Sequence, residues 1–562
     1  MKAVLYSSLP DGHFRLIKVF CHNNRVSLYM KSFDLLSHPP YTAVSHAWDT
    51  SNQIVRVKCN KSEVPISREL LAAFRAFRAC PELHSPAWLW VDSICINQTD
   101  SAEKDVQITI MDRIYQNANI VTIWIGTATE SAQQCLRELD PFQSLIARCP
   151  PQASMDFVIS RSFPTVWKEL PDIFRRRWFS RSWVLQETIL ARESRLVCGT
   201  TVIDWLKTTR NHVLTLEESQ SDTGMRRQDA LGYSILKPFY HLQSPGSQPR
   251  REYDIHLLNL IRERECTQPA DKVYSILGLI SQEIRRLIVP DSSSDHWTVF
   301  VRLGKAFLQH HGPDLFILAP SVERPAELPS WMPNLSCPPS MAPLGYSGRA
   351  GKIDVVLGNV AERSIPEDSD ITTIGVSGVR MTSIRERHQM PQLENGIQDR
   401  AAAEEVLHAI GRCTQLLKDA PHPFDNMAVI WTLIGGVQAK ARELSHPLED
   451  LFKLMMENIR TYRNYRDEQE TPSSFMASWL LEAWKGACLF TTHDGNVGLG
   501  PSNMQEDDMV CVFFGASTPT VLRPTNEGTF QVIGPAYVFA YQDGTAFKAR
   551  GPIENYTMFS II

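Results

Sequence analysis

Between Tyr41 and Gly126, short apolar runs alternate with helix-like runs, and a polar residue stands where each strand-like run ends. Tyr41 to Ser45 reads as a buried strand. IVRVKCN is a second β region. Ser67 then caps a helix whose Leu70, Leu71, Phe74 and Phe77 recur at helical spacing. Trp88 to Val91 is an apolar strand ending at Asp92. Asp100 with Glu103 fits a capping box, and Val106, Ile110, Met111, Ile114 and Tyr115 form one apolar helical face. Ile120 to Ile125 is the next strand, closed by Gly126. This order predicts an α/β layer with a mostly parallel sheet. In such sheets ligands bind beyond the carboxyl ends of the strands. Ser45 and Asp92 stand at two such ends.

The 562 residues suffice for two to four domains, and 43% hydrophobic with 21% charged residues is ordinary for a globular chain. A formal net charge of -5 supplies no basic field, so nucleic acid is not an expected partner. No apolar run approaches the ~20 residues that span a bilayer, so no membrane span is expected. The twelve cysteines include no CxxC pair, which argues against a zinc ribbon or a tight disulfide framework. The amino terminus lacks the apolar core of a secretion signal. The expectation is reduced thiols and a cytoplasmic chain.

Five stretches follow from the pattern. Residues 1–40 read as a lead-in hairpin across Cys21 to Asn24, and residues 41–215 as the α/β domain. Residues 216–320 read as a linker and helices, with ADKVYSILGLI as one of those helices. Residues 321–480 are Pro-rich and then helical. Residues 481–562 carry short strands separated by turns, as in a small barrel or sandwich. There is no GxxxxGK[ST] and no convincing GxGxxG. The glycines of GNVGLGP lie in β-like sequence.

YTAVSHAW at 41–48, LWVDSICINQ at 89–98 and SRSWVLQE at 180–187 resemble, in combination, the fungal heterokaryon-incompatibility (HET) domain. ADKVYSILGL at 270–279 and LPSWMPNLS at 328–336 resemble the region that usually follows it, and the carboxyl-terminal GNVGLGP resembles the tail of many such proteins. The sequence departs from the family pattern at Asp49, where Gly is common, and at Asn334 and Leu335, where the family usually has Asp and Trp. The resemblance implies non-self recognition and programmed cell death signalling. HET domains in turn resemble TIR domains, some of which cleave NAD with a Glu four residues after a Trp. Trp183 and Glu187 have that spacing, although Ser182 directly precedes the Trp and Val184 replaces a Cys. The implied fold of residues 41–215 is therefore a TIR/flavodoxin-like, mostly parallel sheet.

That resemblance makes Glu187 the candidate catalytic carboxylate and NAD a candidate substrate, with no cofactor required. Nicotinamide is already cationic in NAD and leaves without a general acid. A fixed carboxylate can then stabilise the charge that develops on the ribose. Trp48 and Trp183 are candidate ring stackers. Ser45, Asp92, Asn97 and Gln98 are candidate hydrogen-bonding residues for ribose or phosphate. Structural roles stand beside each of these. Glu187 reads equally as a helix cap or an ion-pair partner of the arginines at 175–181. Both tryptophans read as core, His46 as a satisfied histidine, Cys95 as a buried thiol and Arg175 to Arg177 as a solvated face. His310 and His311 are an adjacent pair with no third ligand, so no metal is expected. Three function classes remain: a death-signalling protein that self-associates and cleaves NAD, a non-enzymatic module that recruits other incompatibility or death-signalling proteins, and a biosynthetic enzyme on the same scaffold.

Overall fold

A computed structural model of the protein describes residues 6–22, 25–48, 53–83, 87–146, 161–218, 236, 239, 242, 250–318, 324–341, 372–393, 397, 400–421, 425–435, 448–461, 480–481, 483–541 and 557–562. Asp49 lies outside them. The chain forms two compact units, Met1–Tyr253 with Arg264–Asp295, and Asp254–Glu263 with His296–Ile562.

The first unit is built on a nine-stranded sheet. Its strands are β1 (His13–His22), β2 (Arg25–Asp34), β3 (Tyr41–His46), β4 (Ile54–Cys59), β5 (Ser62–Ser67), β6 (Trp88–Val91), β7 (Ile120–Trp124), β8 (Ser194–Cys198) and β9 (Thr201–Asp204), in the spatial order β5-β4-β2-β1-β6-β3-β7-β8-β9. The expected hairpin across Cys21 to Asn24 forms, with His22 opposite Arg25. It joins the sheet itself, because β1 runs antiparallel to β6 at Ile17 and Leu89.

The sheet is therefore mixed, which corrects the expectation of a mostly parallel one. Four strands, β6, β3, β7 and β8, lie side by side and parallel. Outside them β1 with β2, β4 with β5 and β8 with β9 are antiparallel hairpins. Alternation within a strand fixes which side chains face inward, but says nothing about the direction of its neighbour. The strand β5 carries Pro65, which removes a donor and suits its place at the sheet edge.

The central strand β3 is buried along its whole length, as expected of a strand covered on both faces. Helix α1 (Arg68–Ala79) begins where Ser67 accepts the Leu70 amide at 3.0 Å, and buries Leu70, Phe74 and Phe77. The short helix α2 (Asp92–Cys95) follows β6 directly. Helix α3 (Ser101–Asn117) is capped by Asp100, which accepts the Glu103 amide at 3.0 Å. The reciprocal half of the expected capping box is not made. Glu103 instead accepts the Asn97 amide at 2.7 Å and pairs with the buried Arg15 at 2.6 Å. The buried face of α3 also differs from expectation. Val106 is exposed, while Gln107 and Asp112 are buried. Asp112 pairs with Arg285, and the Gln107 amide nitrogen donates to the His13 carbonyl at 2.9 Å, while its buried Oε1 has no hydrogen-bond partner. The 270–279 segment is helical only over Asp271–Tyr274 and continues as turns.

The second unit contains a closed barrel. Strands β13 (Met509–Phe513), β14 (Thr520–Pro524), β15 (Phe530–Pro535), β17 (Thr557–Ile561) and β10 (Ile374–Gln389) pair in a ring, because β10 also pairs with β13. Strands β11 (Ala487–Thr492), β12 (Val497–Pro501) and β16 (Tyr537–Val538) extend that sheet from β10. Val379, Ile384, Val510, Val512, Val521 and Ile533 fill the barrel core. The closing strand β10 comes from the stretch read as Pro-rich and then helical, well upstream of the carboxyl-terminal strands. It pairs with β17 through Ile374–Gly378, with β13 through Gly378–Ser383 and with β11 through Ile384–Gln389. Helices Arg400–Lys418, Asn426–Leu433 and Leu448–Thr461 pack with Trp484 and Leu489 in a separate core.

The LPSWMPNLS segment ties this unit together. Ser330 donates its amide to the Ile562 carbonyl at 3.0 Å, and its hydroxyl accepts the Val532 amide at 2.8 Å. Trp331 is buried and donates to the Thr372 carbonyl at 2.8 Å. Leu335 is fully buried, and Asn334 accepts the Ser336 amide at 2.9 Å, so both departures from the family pattern have a structural use here.

Because β10 closes the ring, residues 484–562 expressed alone lack one barrel wall and leave strand edges unpaired. The expected outcome is no sharp thermal transition from that fragment, measured by circular dichroism, whereas the full chain melts cooperatively.

Candidate functional site

The carboxyl ends of β3 and β6 and the helix Val184–Ile189 bring the candidate residues together. Ser45, next to last in β3, donates its hydroxyl to Glu187 and accepts the indole N–H of Trp178 at 2.7 Å. All three side chains are buried, and Glu187 is only 1% exposed. Beside them, Asp92 accepts the indole N–H of Trp48 at 2.8 Å and the Ser93 amide at 2.6 Å. The His46 ring lies between, with Nδ1 3.7 Å from Asp92 and Nε2 3.4 Å from the Ser93 hydroxyl.

Two arginines hold the backbone that leaves β3. Arg181 donates to the His46 carbonyl, and Arg177 donates to the Trp48 carbonyl at 2.9 Å. Arg176 donates to the carbonyls of Ile125 at 2.9 Å and Thr127 at 3.0 Å beyond β7. The basic run is thus partly a set of clamps on strand ends. Arg175 alone pairs outward, with Asp172 at 2.8 Å.

Burial dominates the electrostatics. It pushes the Glu187 carboxyl from 4.5 up to about 7, assisted by Asp92 and opposed by Arg181 and the Ser45 hydroxyl. Burial likewise lowers His46, so the ring is neutral at pH 7 despite Asp92. The Cys95 thiol is pushed up to about 12, which makes it an inert buried thiol as expected. Tyr115 is raised well above 10 by burial, with Glu187 and Asp92 adding to the effect. Among the described residues, the Tyr115 hydroxyl and His46 Nδ1 are buried with no hydrogen-bond partner, next to these two carboxylates. Buried polar groups are rarely left so, and they cluster where function demands it.

The remaining candidates are spread around this centre. Gln98 donates to the Asp92 carbonyl at 3.0 Å and so supports the loop. Asn97 turns to Thr99, accepting its hydroxyl at 2.8 Å. Trp48 is 41% exposed. Trp183 is half-buried and hydrogen-bonds Asp271. Trp178 and Arg181, with Tyr115 and Asp271, complete the site; the sequence places Arg181 only among the arginines at 175–181 that Glu187 could pair with, and does not single out the other three as site residues. The one signal for the first two was their position inside RRRWFSRSW, immediately before the Trp–Glu pair.

The 264–279 segment packs over the start of the Glu187 helix. Glu265 bridges to its backbone, donating to the Ser180 carbonyl at 2.7 Å and accepting the Ser182 amide at 2.8 Å. Arg264 donates to the Phe179 carbonyl. Gly278 donates its amide to Gln186 at 2.9 Å, and a Cβ there would lie 2.5 Å from the Asp112 Cβ. Only glycine permits that approach.

Among the described residues there is no cluster of His, Cys, Asp or Glu able to hold a metal, and all eleven described cysteines are free. His311 pairs with Asp254 at 2.9 Å. No described helix is long and apolar enough to cross a membrane.

Comparison with known proteins defines the class. Residues 41–187 match the family described as heterokaryon incompatibility protein (HET), and residues 459–552 match the Het-6 beta-barrel domain. The chain therefore carries one segment similar to the HET family and another similar to the Het-6 barrel. Over nearly its whole length it is similar to heterokaryon incompatibility protein 6, OR allele, of Neurospora crassa, at 22% identity with 95% of this chain and 94% of that protein covered. No solved structure matches it. The HET match begins at Tyr41 on β3 and ends at Glu187.

Two outcomes are expected. Gly278→Ala forces the packed segment apart and lowers stability by about 1–3 kcal/mol in denaturant unfolding. The folded Glu187 carboxyl binds its proton more tightly than the unfolded one, so its contribution to stability falls as pH rises from 4.5 through about 7. Glu187→Gln keeps an acceptor for Ser45 and cannot ionise. Relative to the parent chain it gains up to ~3 kcal/mol between pH 5 and 8, read from the difference of the two stability–pH profiles.

Proposed function

We propose that this chain acts in heterokaryon incompatibility, as a signalling protein of fungal non-self recognition, and that its HET domain cleaves the glycosidic bond of NAD at Glu187. The observation that supports this most is a buried carboxylate at the carboxyl end of parallel strands, with unused polar groups beside it. Further support comes from the Trp183–Glu187 spacing and from the parallel strand order β6-β3-β7-β8. That order is second, first, third, fourth along the chain, and sheets of this kind bind nucleotides where the connections diverge.

In this reading the ionised Glu187 faces the ribose. The bond between C1 of the ribose and the nicotinamide nitrogen breaks, and both electrons leave with neutral nicotinamide. Water adds at that carbon and gives up a proton. Glu187 stabilises the positive charge of the transition state. Asp92 and Tyr115 supply an acceptor and a donor for ribose hydroxyls, and the half-exposed Trp48 offers a ring face. The closed arrangement keeps water from Glu187. Turnover therefore requires the segment from Trp178 to Trp183 to move, as partner binding or self-association would move it.

A second reading rests on the near-complete burial of Glu187. A carboxyl held by Ser45 and near Arg181 also serves as an internal tie between β3 and its helix. The domain is then a non-enzymatic module that recruits other incompatibility proteins.

The deciding experiment is nicotinamide release from NAD by the purified full chain at high protein concentration, alongside Glu187→Gln. The catalytic reading expects release that falls by at least about 100-fold in the variant. Absence of release from folded, self-associated protein, or equal release by the variant, transfers the assignment to the interaction module.

A further inference from the structure

Among the described residues, one face of the first sheet is largely exposed from Lys18 onward in β1 and across β2, β4 and β5, whereas Phe14 and Leu16 at its other end are buried. Helix α1 lies against β1, β2, β4 and β5 on one side, where Leu28, Met30, Val57, Cys59, Val64 and Ile66 are buried. Side chains alternate along a strand, so the register fixes what stands on the other side. Lys18 is opposite Tyr29, Phe20 opposite Ser27, Ser27 beside Lys58, and Arg56 opposite Pro65. Phe20, Tyr29 and Ile54 on this face are 53%, 45% and 63% exposed. Among the described residues, five cations share the face, Lys18, Arg25, Lys31, Arg56 and Lys58, against one carboxylate, Glu63. A chain of net charge -5 thus carries a concentrated basic surface on one sheet face. Exposed apolar side chains set among clustered cations mark an interaction surface.

We propose that this face docks an acidic polypeptide, whose carboxylates meet Lys18, Lys31, Arg56 and Lys58 and whose apolar side chains cover Phe20, Tyr29 and Ile54. Charge complementarity selects an anionic partner. Ring geometry favours a protein over single-stranded nucleic acid. The Lys18 ammonium sits over the Trp88 ring at 4.7 Å and that of Lys31 over Phe33 at 5.3 Å, which leaves Phe20 and Tyr29 as the exposed rings rather than a run of stacking platforms. A lipid surface needs a contiguous apolar face. Here Ser27 and Lys31 flank Tyr29 along β2, and Arg56 follows Ile54 on the same face of β4. The surface involves none of the residues around Glu187, so it stands independently of the proposed catalysis.

The test measures binding of the full chain to a fluorescent synthetic helical peptide with Glu along one face and Leu along the other, by anisotropy. A phosphatidylserine vesicle and an oligothymidine are measured alongside. The expected result is saturable peptide binding that weakens with salt. It weakens more than about tenfold in the double variant Lys31→Glu/Arg56→Glu, and also in Tyr29→Ala. All these positions are exposed, and near-ultraviolet circular dichroism checks that the variants fold. Absence of peptide binding, binding unaffected by the double variant, or capture of only the vesicle or the oligonucleotide through these lysines overturns the proposal.

Discussion

The hydrogen bond from Ser45 to Glu187 organises the first unit. It joins residues 142 apart in the chain, and it puts a carboxyl at the end of a strand with no exposed position. A charge in such a place is costly unless paired and hydrogen-bonded. The surroundings answer that demand in three ways. Ser45 donates to the carboxyl, Arg181 lowers its affinity for a proton, and burial raises that affinity further than Arg181 lowers it. The group is therefore balanced between protonation states near neutrality. In the catalytic reading, that balance is what lets the group change state or meet developing charge.

The same contact explains the packing around it. Trp178 donates to the Ser45 oxygen, which fixes the RRRWFSRSW segment against β3. The Glu265 bridge then clamps that segment from outside. Gln186, next to Glu187, captures the Gly278 amide, and this requires a residue without a Cβ. The long stretch between β7 and the Trp–Glu pair thus ends in a segment held from both sides.

Strand ends were legible in the sequence because burial forces a simple rule on them. A run such as WLWV must stop at a polar residue, and Asp92 and Ser45 sit at such stops. The Ser67 and Asp100 caps were legible for the same local reason. Partners distant in sequence were not. Nothing in the alternation of residues 13–34 says that β1 runs antiparallel to β6, so the sheet was expected to be mostly parallel. Nothing in IGVSGVRMTSIRERHQ says that it closes a barrel whose other strands begin after Met509. Trp178 escaped notice because aromatic residues have many structural uses and only its contact with Ser45 distinguishes it, while Arg181 was legible only as one of several arginines that could pair with Glu187. The HET match from Tyr41 to Glu187 spans the first and last residues of this arrangement, while β1, β2, β8 and β9 complete the sheet outside it.

The central claim is that Glu187 is a poised carboxyl that meets NAD. Its most direct measurement is a carbon-13 titration of glutamate carboxyls in the full chain, with and without NAD and with Glu187→Gln for assignment. The account predicts one carboxyl that titrates at about 7, vanishes in the variant and shifts when NAD is added. A Glu187 signal that titrates below about 5, as ordinary glutamates do, or that is indifferent to NAD, contradicts it.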